Sequence, residues 1–486
     1  MNGVALAFSR AAAATRAAAV ARAARPAPPP AHAVRDDRHA LLIGAVAWTL
    51  VVLMIVPEGF DYSTLDSEGA PAYGGTFSRL LWLALLGLGL VAILWRAAFA
   101  WLLARWLNPF LLAFVVLAAA SMAWSIDPPV TARRLIRVVT IVAVAIAFVL
   151  TAWHARRFQN VLRPAVTVML LGSLAFGVGW PALAIHPDPT GVLAGAWHGL
   201  ANHKNGLGDL ACIGLVFWLH AWLSREARAV PALVGIGLAA TCLFLSRSST
   251  SIVATAFTLL FLTLLLRAPR GLQRYMPWLV ALFVGALLAY ALVLLRILPG
   301  LYTLLSPLSA ITGKDMTFTG RTEIWDLLLE HIRQQPYLGS GYGAYWAATG
   351  QGAPSFEFVV KLGFDPASAH NGYLDILNDL GALGLVVLFG FLGSFVAQSL
   401  RLMRVDRTQA ALFLALFLQQ AITNLAESRW FSPLSVDFVI MTLATAALAR
   451  SLLEHRVRGP GAGLQAPAAA AAGAVLRPSL SHGTRR

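Results

Sequence analysis

Long apolar blocks alternate with short polar segments along most of the chain. A helix of roughly 17–25 apolar residues crosses a hydrocarbon layer of ~30 Å. Read by that rule, the pattern predicts about twelve spans, near 40–57, 80–95, 108–124, 138–153, 164–184, 208–224, 231–246, 249–266, 276–298, 379–399, 409–424 and 432–449. The ~10-residue alternating segments of an outer-membrane barrel are absent. The expected fold class is therefore an all-α polytopic membrane protein of about 12 transmembrane helices. Residues 1–39 and 456–486 are Ala/Pro-rich and basic, and read as disordered cytoplasmic tails around a membrane domain at 40–455. The arginines of the first tail interrupt every stretch that could serve as a signal peptide.

One connection is out of scale. Residues 299–378 form a long loop between the ninth and tenth spans, and long loops are usually functional. Within it, Ile324, Leu328 and Ile332 recur at helical spacing, so an amphipathic helix is expected at 321–334. Pro336 and Gly339 stop it. The turn Gly339-Ser340-Gly341-Tyr342-Gly343 follows.

Composition agrees with the pattern. Of the 486 residues 58% are apolar and 12% charged, about half the charge of a soluble domain. A soluble enzyme and a disordered chain are both excluded. The net charge of +15 does not call for nucleic acid, because the basic residues sit between apolar blocks. Arg96 and Arg105, the 156–163 group, Arg225 and Arg228, the 267–274 group and the 401–407 group all fall on the side of the tails. By the positive-inside bias that side is cytoplasmic. The loop 299–378 then lies on the outer face. Cys212 and Cys242 fall within spans and give no disulfide framework or metal spacing.

The outer face carries arginines that this bias does not explain. Arg133, Arg134 and Arg137 follow Trp124-Ser125-Ile126-Asp127-Pro128-Pro129, where long basic side chains often snorkel to lipid phosphates. Arg247, in Ser246-Arg247-Ser248, and Arg321, in Gly320-Arg321-Thr322-Glu323, are harder to explain so. Arg429 lies in the last outer turn. Guanidinium groups bind phosphate oxygens bidentately, so a diphosphate is a fitting partner. Lys204, in Asn202-His203-Lys204-Asn205-Gly206, adds a point charge, with Asp209 as an alternative ion-pair partner for it. His370, in Ala369-His370-Asn371-Gly372-Tyr373, is placed to take a proton near neutral pH, or is an ordinary loop histidine. His186, His198 and His203 share an outer loop but lack a metal-site spacing. No phosphate-binding Gly-Lys-Ser/Thr loop and no outer Asp-x-Asp pair is present. Charge deep in the spans is scarce, with Asp437 the clearest case, whereas a pump usually needs several such groups.

Four segments, taken together, resemble the O-antigen ligase and polysaccharide polymerase superfamily of bacterial inner-membrane glycosyltransferases. They are Ser121–Pro128, Ser246-Arg247-Ser248, Gly320–Trp325, and His370–Leu374 with Leu380–Gly384. The runs Asn202–Gly208 and Gly339–Trp346 look like exopolysaccharide polymerases of the succinoglycan type. The resemblance implies a multi-pass inner-membrane enzyme with both termini cytoplasmic and its site in the periplasm. It would need no cofactor and no metal. Its donor would be a glycan on undecaprenyl diphosphate, and its acceptor a carrier-linked repeat or, in the ligases, lipid A–core. Export and chain-length proteins are compatible partners. The implied roles are diphosphate binding by Arg247 and Arg321 and activation of the acceptor hydroxyl by His370; Lys204 and Arg134 are further candidates for the diphosphate from their charge and position. Direct displacement would invert the anomeric carbon. Trp346, Tyr342 and Tyr345 either stack on sugars or pack the loop. A carrier-lipid flippase is the rival of another class, and it would have no use for His370.

Overall fold

The computed structural model describes residues 44–46, 76–151, 153–186, 193–201, 203–269, 271, 275, 277–278, 280–285, 321–347, 353–433 and 435–458. The expected spans at 40–57 and 276–298, both tails and residues 299–320 lie wholly or largely outside them. Every regular element among the described residues is helical; the one β-type pairing is an isolated bridge between Ile185 and Trp197. Six of these helices are long and apolar enough to cross a membrane, or seven if one sharply bent pair counts as a single span.

The helices are α1 (Thr76–Trp95), α2 (Ala97–Ala104), α3 (Pro109–Ala120), α4 (Pro128–Leu150) and α5 (Arg157–Gly179). A single turn, α6 (Pro181–Ala184), precedes α7 (Lys204–Leu223), α8 (Ala229–Ser246) and α9 (Ser249–Arg267). Then come α10 (Arg321–Gln334), α11 (Phe356–Leu362), α12 (Gly372–Met403), α13 (Arg407–Thr423) and α14 (Val436–Arg458). α1 and α2 are the bent pair, turned by 93° at Arg96. Side-chain caps set several starts. Asn108 accepts from the Phe110 N–H at 3.1 Å ahead of Pro109, and Asp127 accepts from the Val130 N–H at 3.1 Å ahead of Pro128.

Two boundaries differ from the hydropathy reading. α4 starts at Pro128, ahead of the expected 138, because the Asp127 cap and two prolines nucleate it before its apolar run begins. Arg133, Arg134 and Arg137 are thereby helical, and Arg137 lies over the Trp82 ring at 5.8 Å. α12 starts at Gly372 rather than 379 and runs for 32 residues. The run after its break at Gly381, 382–403, is ~33 Å long at 1.5 Å per residue, enough to cross a hydrocarbon layer.

α7 and α14 are the most buried of the membrane-length helices. α7 packs on α5, α8, α9 and α13, while α14 packs on α4 and α12. α10 is amphipathic as expected: Ile324, Trp325, Leu328, Leu329 and Ile332 are all buried, and α10 rests on α12.

α12 is broken at Gly381, whose φ of 64° and ψ of −161° lie outside the helical region. The break frees backbone groups, and the turn after α10 takes them. The carbonyls of Asn378 and Asp379 accept from the N–H groups of Ser340 and Gly341, both at 2.9 Å. The Ala382 N–H donates to Pro336 O at 2.8 Å, and the Leu383 N–H to Tyr337 O at 3.3 Å. Irregular backbone is tolerated in such a protein when its polar groups are met internally in this way. The same turn grips the α3–α4 connection. Ile126 N–H donates to Ser340 O at 3.0 Å, Trp124 Nε1 to Leu338 O at 3.0 Å, and Tyr342 N–H to Ser121 Oγ at 3.1 Å.

A Cβ at Gly381 would stand 2.2 Å from the Tyr337 carbonyl carbon in a backbone conformation that L-residues rarely adopt. Gly381→Ala should therefore cost well over the ~1–3 kcal/mol of a strained residue, visible as a lower thermal midpoint and poor yield in detergent. Gly393→Ala, in the same helix with open space around it, should be neutral or slightly stabilising. Equal behaviour of the two variants would contradict this account of the break.

Candidate active site

Five chain segments converge at one end of the bundle: the start of α7, the α8–α9 turn, the start of α10, the loop into α12, and the α13–α14 turn. Each follows from connectivity. α7, α9, α12 and α14 begin at this end, and α8 and α13 finish there.

The loop into α12 is held by its own sequence. Asn371 caps the helix, its Oδ1 accepting from the N–H groups of Tyr373 at 3.0 Å and Leu374 at 3.2 Å. The Gly372 N–H donates to the carbonyls of Asn424 at 2.9 Å and Glu427 at 3.0 Å. A Cβ at Gly372 would meet Asn424 Oδ1 at 2.1 Å, so only glycine lets the α13–α14 turn come this close. Asn371 N–H also donates to Ser428 Oγ at 3.1 Å. These bonds fix His370 in a left-handed conformation, φ 49°, beside that turn. Strain of this kind persists only where the surroundings over-determine it.

The turn delivers Glu427, which is buried. Arg321 Nη2 donates to Glu427 Oε1 at 3.0 Å, and Arg321 Nη1 donates to the Ala426 carbonyl. Asn205 Nδ2 donates to the same Oε1 at 2.6 Å. His370 Nδ1 lies 3.8 Å from Oε2, within ion-pair range. Arg429 Nη2 is 3.9 Å from Oε2, and its Nε is 3.8 Å from both Asp209 Oδ2 and Asp437 Oδ2. Burial alone would raise the Glu427 carboxyl; His370, Arg429 and Arg321 outweigh it and hold the group at about 2. Burial likewise opposes charge on Arg429, but Glu427, Asp209 and Asp437 carry its pKa upward.

Two other expected cations lie near one another and near Arg321 by way of Lys204. Lys204 lies within the electrostatic reach of both Arg247 and Arg321. Arg247 is exposed at the C-terminus of α8 with φ 49°, and its Nη1 donates to Ala194 O at 2.8 Å. Asp209 is taken by Ser251, whose hydroxyl donates to Oδ1 at 2.9 Å, and by Arg429, instead of by Lys204. His186 packs on His198 and His203, with ring centroids 4.8 and 5.4 Å apart. Burial pushes His203 down to about 4, against the pull of Glu427. Among the described residues no group of three or more His, Cys, Asp or Glu is arranged to hold a metal ion.

Arg134 and the aromatic residues go elsewhere. Arg134 lines a cavity of about 150 Å³ with Trp346, Asp375, Asp379 and Ser428; Arg247, Arg321, Lys204 and His370 are not among its walls. Tyr345 is 1% exposed and packs on His331 and Phe358, so it serves the loop core instead of offering a stacking face. Tyr342, 2% exposed, donates its hydroxyl to the Phe431 carbonyl. Trp346 alone of the three stays partly exposed, with its Nε1 donating to Asp375 Oδ1 at 2.8 Å.

Glu427 and Asn205 were not singled out from sequence. The usable signal was Glu427-Ser428-Arg429, an acid and a base two residues apart in a turn between apolar blocks. The linkage sign is clear for Glu427. Its ordinary value is 4.5 and its folded value about 2, so its stabilising contribution is complete above about 4.5 and is lost as pH falls toward 2. Glu427→Gln should lower the thermal midpoint at pH 7, by the order of the ~3–5 kcal/mol seen when a buried ion pair loses one partner. It should also flatten the acid-side decline between about pH 4.5 and 2. Thermal scans in detergent check both; a variant with the wild-type pH profile would contradict the assignment.

Residues 234–389 match the O-antigen ligase family. That stretch contains Arg247, Arg321 and His370, and it ends before Glu427. The chain is also 29% identical over 364 residues to the exopolysaccharide production protein ExoQ of Rhizobium meliloti (strain 1021), an alignment covering 71% of this chain and 77% of that protein. Its multiple apolar helices make the chain a membrane protein, and both likenesses point to the O-antigen ligase and exopolysaccharide production proteins as what it is similar to.

Proposed function

We propose that this protein is a periplasm-facing glycosyltransferase of the bacterial inner membrane. It moves a glycan from an undecaprenyl diphosphate carrier to an acceptor hydroxyl and thereby polymerises exopolysaccharide repeats. The observation that carries this reading is the pairing of Arg321 and His370 with the buried Glu427 carboxylate, with Lys204 within electrostatic reach of both Arg321 and Arg247. The likeness to ExoQ supports polymerisation over the ligase reaction that the family's name describes.

The chemistry follows from the parts. Arg247, Lys204 and Arg321 bind the diphosphate, whose charge grows as the bond from the anomeric carbon to phosphate oxygen breaks. Fixed cations in place before the reaction stabilise that charge without reorganising. Glu427 beside Nδ1 orients the imidazole, favours a proton on Nδ1 and leaves Nε2 as the base. The acceptor oxygen attacks the anomeric carbon from the opposite face while its proton passes to His370. The new glycosidic bond is inverted, and the diphosphate leaves with the bonding pair. Glu427 stabilises the imidazolium that results.

Two outcomes are expected in a strain that makes the polymer. His370→Ala should reduce polymer formation by roughly the 10²–10⁴-fold of a lost general base, with carrier-linked repeats still accumulating on the outer face. Unchanged polymer would refute the role of His370, and failure of repeats to reach that face would favour a flippase. Arg247→Ala should weaken binding of undecaprenyl diphosphate by roughly 10–100-fold, the value of a charged hydrogen bond. Unaltered binding would remove Arg247 from the site. In a deletion strain, polymer should vanish while capped lipopolysaccharide persists; loss of capped core would identify the ligase reaction instead.

A further inference from the structure

We propose that the cavity beside the His370 loop binds one neutral pyranose ring of the acceptor glycan. The inference rests on the transferase reading above and adds to it an acceptor site distinct from the cations assigned to the diphosphate. The cavity measures about 150 Å³, room for about five waters at ~30 Å³ each and so for a single sugar ring. It lies between the start of α4, the Gly339–Trp346 turn, the first turns of α12 and the α13–α14 turn. Ser368, which accepts from the His370 N–H at 3.3 Å, and Ser428, next to Glu427, form part of its wall. A ring held here sits one loop away from the imidazole.

The lining selects the ligand class. Asp379 is 7% exposed; its Oδ2 accepts from the Gly343 N–H at 2.8 Å, and its Oδ1 has no hydrogen-bond partner. The neighbouring Asn378 side chain stands close enough to act on Asp379, but none of its polar atoms reaches hydrogen-bond geometry. A buried acceptor left open in this way calls for a donor from outside the chain. Arg134 reaches the same cavity across Gly343 and has no ion-pair partner among the described residues. Asp375 is already engaged, accepting from Trp346 Nε1 at 2.8 Å and the Ala369 N–H at 3.1 Å, so it positions the indole. Two carboxylates disfavour an anion, and Arg134 disfavours a cation. A neutral sugar instead offers hydroxyl donors to Asp379, hydroxyl acceptors to Arg134 and an apolar face to Trp346.

The test uses the full chain in lipid nanodiscs. The probe is a lipid-free neutral oligosaccharide prepared by mild acid hydrolysis of the host's own exopolysaccharide, observed by saturation-transfer NMR. Wild type and His370→Ala should both bind it. Asp379→Asn, which can still accept from Gly343 but turns a donor toward the ring, should weaken binding at least tenfold. Ser432→Phe fills the cavity from its rim, where the serine hydroxyl makes no hydrogen bond among the described residues, and should abolish it. Both variants should bind undecaprenyl diphosphate like wild type, which reports that they are folded. No binding by wild type, undiminished binding by both variants, or preference for glucuronic acid or glucosamine over glucose would each overturn the assignment. Oligosaccharide binding by a chain with no transferase activity would support the sugar site and count against the transferase reading alone.

Discussion

A carboxylate buried at the end of a helical bundle must be met by positive charge and by hydrogen bonds, and Glu427 is met by groups from three other chain segments and from its own turn. Arg321 comes from α10, Asn205 from α7 and His370 from the loop into α12, while Arg429 comes from its own turn. An uncompensated charge in that place would be prohibitive. The same requirement therefore gathers residues that lie more than two hundred positions apart along the chain. It also leaves the site cationic, because Arg247 and Lys204 add charge that Glu427 does not neutralise.

Backbone exchange at Gly381 supplies the second constraint. The broken helix lends two carbonyls and two N–H groups to the turn between Pro336 and Gly341, and that turn in turn holds the α3–α4 connection. One face of the junction carries the cavity with Arg134, Trp346 and Asp379. Its other neighbour is the strained His370 loop, pinned by Gly372 against the α13–α14 turn. Positioning of both thus depends on glycines whose added Cβ would collide with backbone or with a capping side chain.

Much of this was legible in the sequence. Hydropathy located the apolar helices, and the spacing of Ile324, Leu328 and Ile332 located α10 with its bounds intact. Arg247, Arg321 and His370 stood out because charge in short turns between spans needs a reason. Glu427 did not, since an acid two residues from Arg429 looks like an ordinary solvated turn until its burial is known. Asp375 and Asp379 were hidden for another reason. A span expected to start at 379 leaves out the extra turns that begin at Gly372, and both acids fall on them or at their edge. The aromatic residues show the converse. Tyr342 and Tyr345 have the composition of a sugar platform, yet packing buries both. Only three-dimensional contact separates them from Trp346.

The central claim is that Glu427 assembles a cationic, histidine-bearing site for a lipid-linked diphosphate at the outer end of the bundle. A cryo-electron microscopy structure in nanodiscs with a non-transferable undecaprenyl diphosphate glycan tests it most directly. The account predicts phosphate oxygens within hydrogen-bond distance of Arg247 and Arg321, with the anomeric carbon facing His370 Nε2. Density for the diphosphate at the opposite end of the helices, or His370 and these arginines standing tens of ångströms apart, would contradict it.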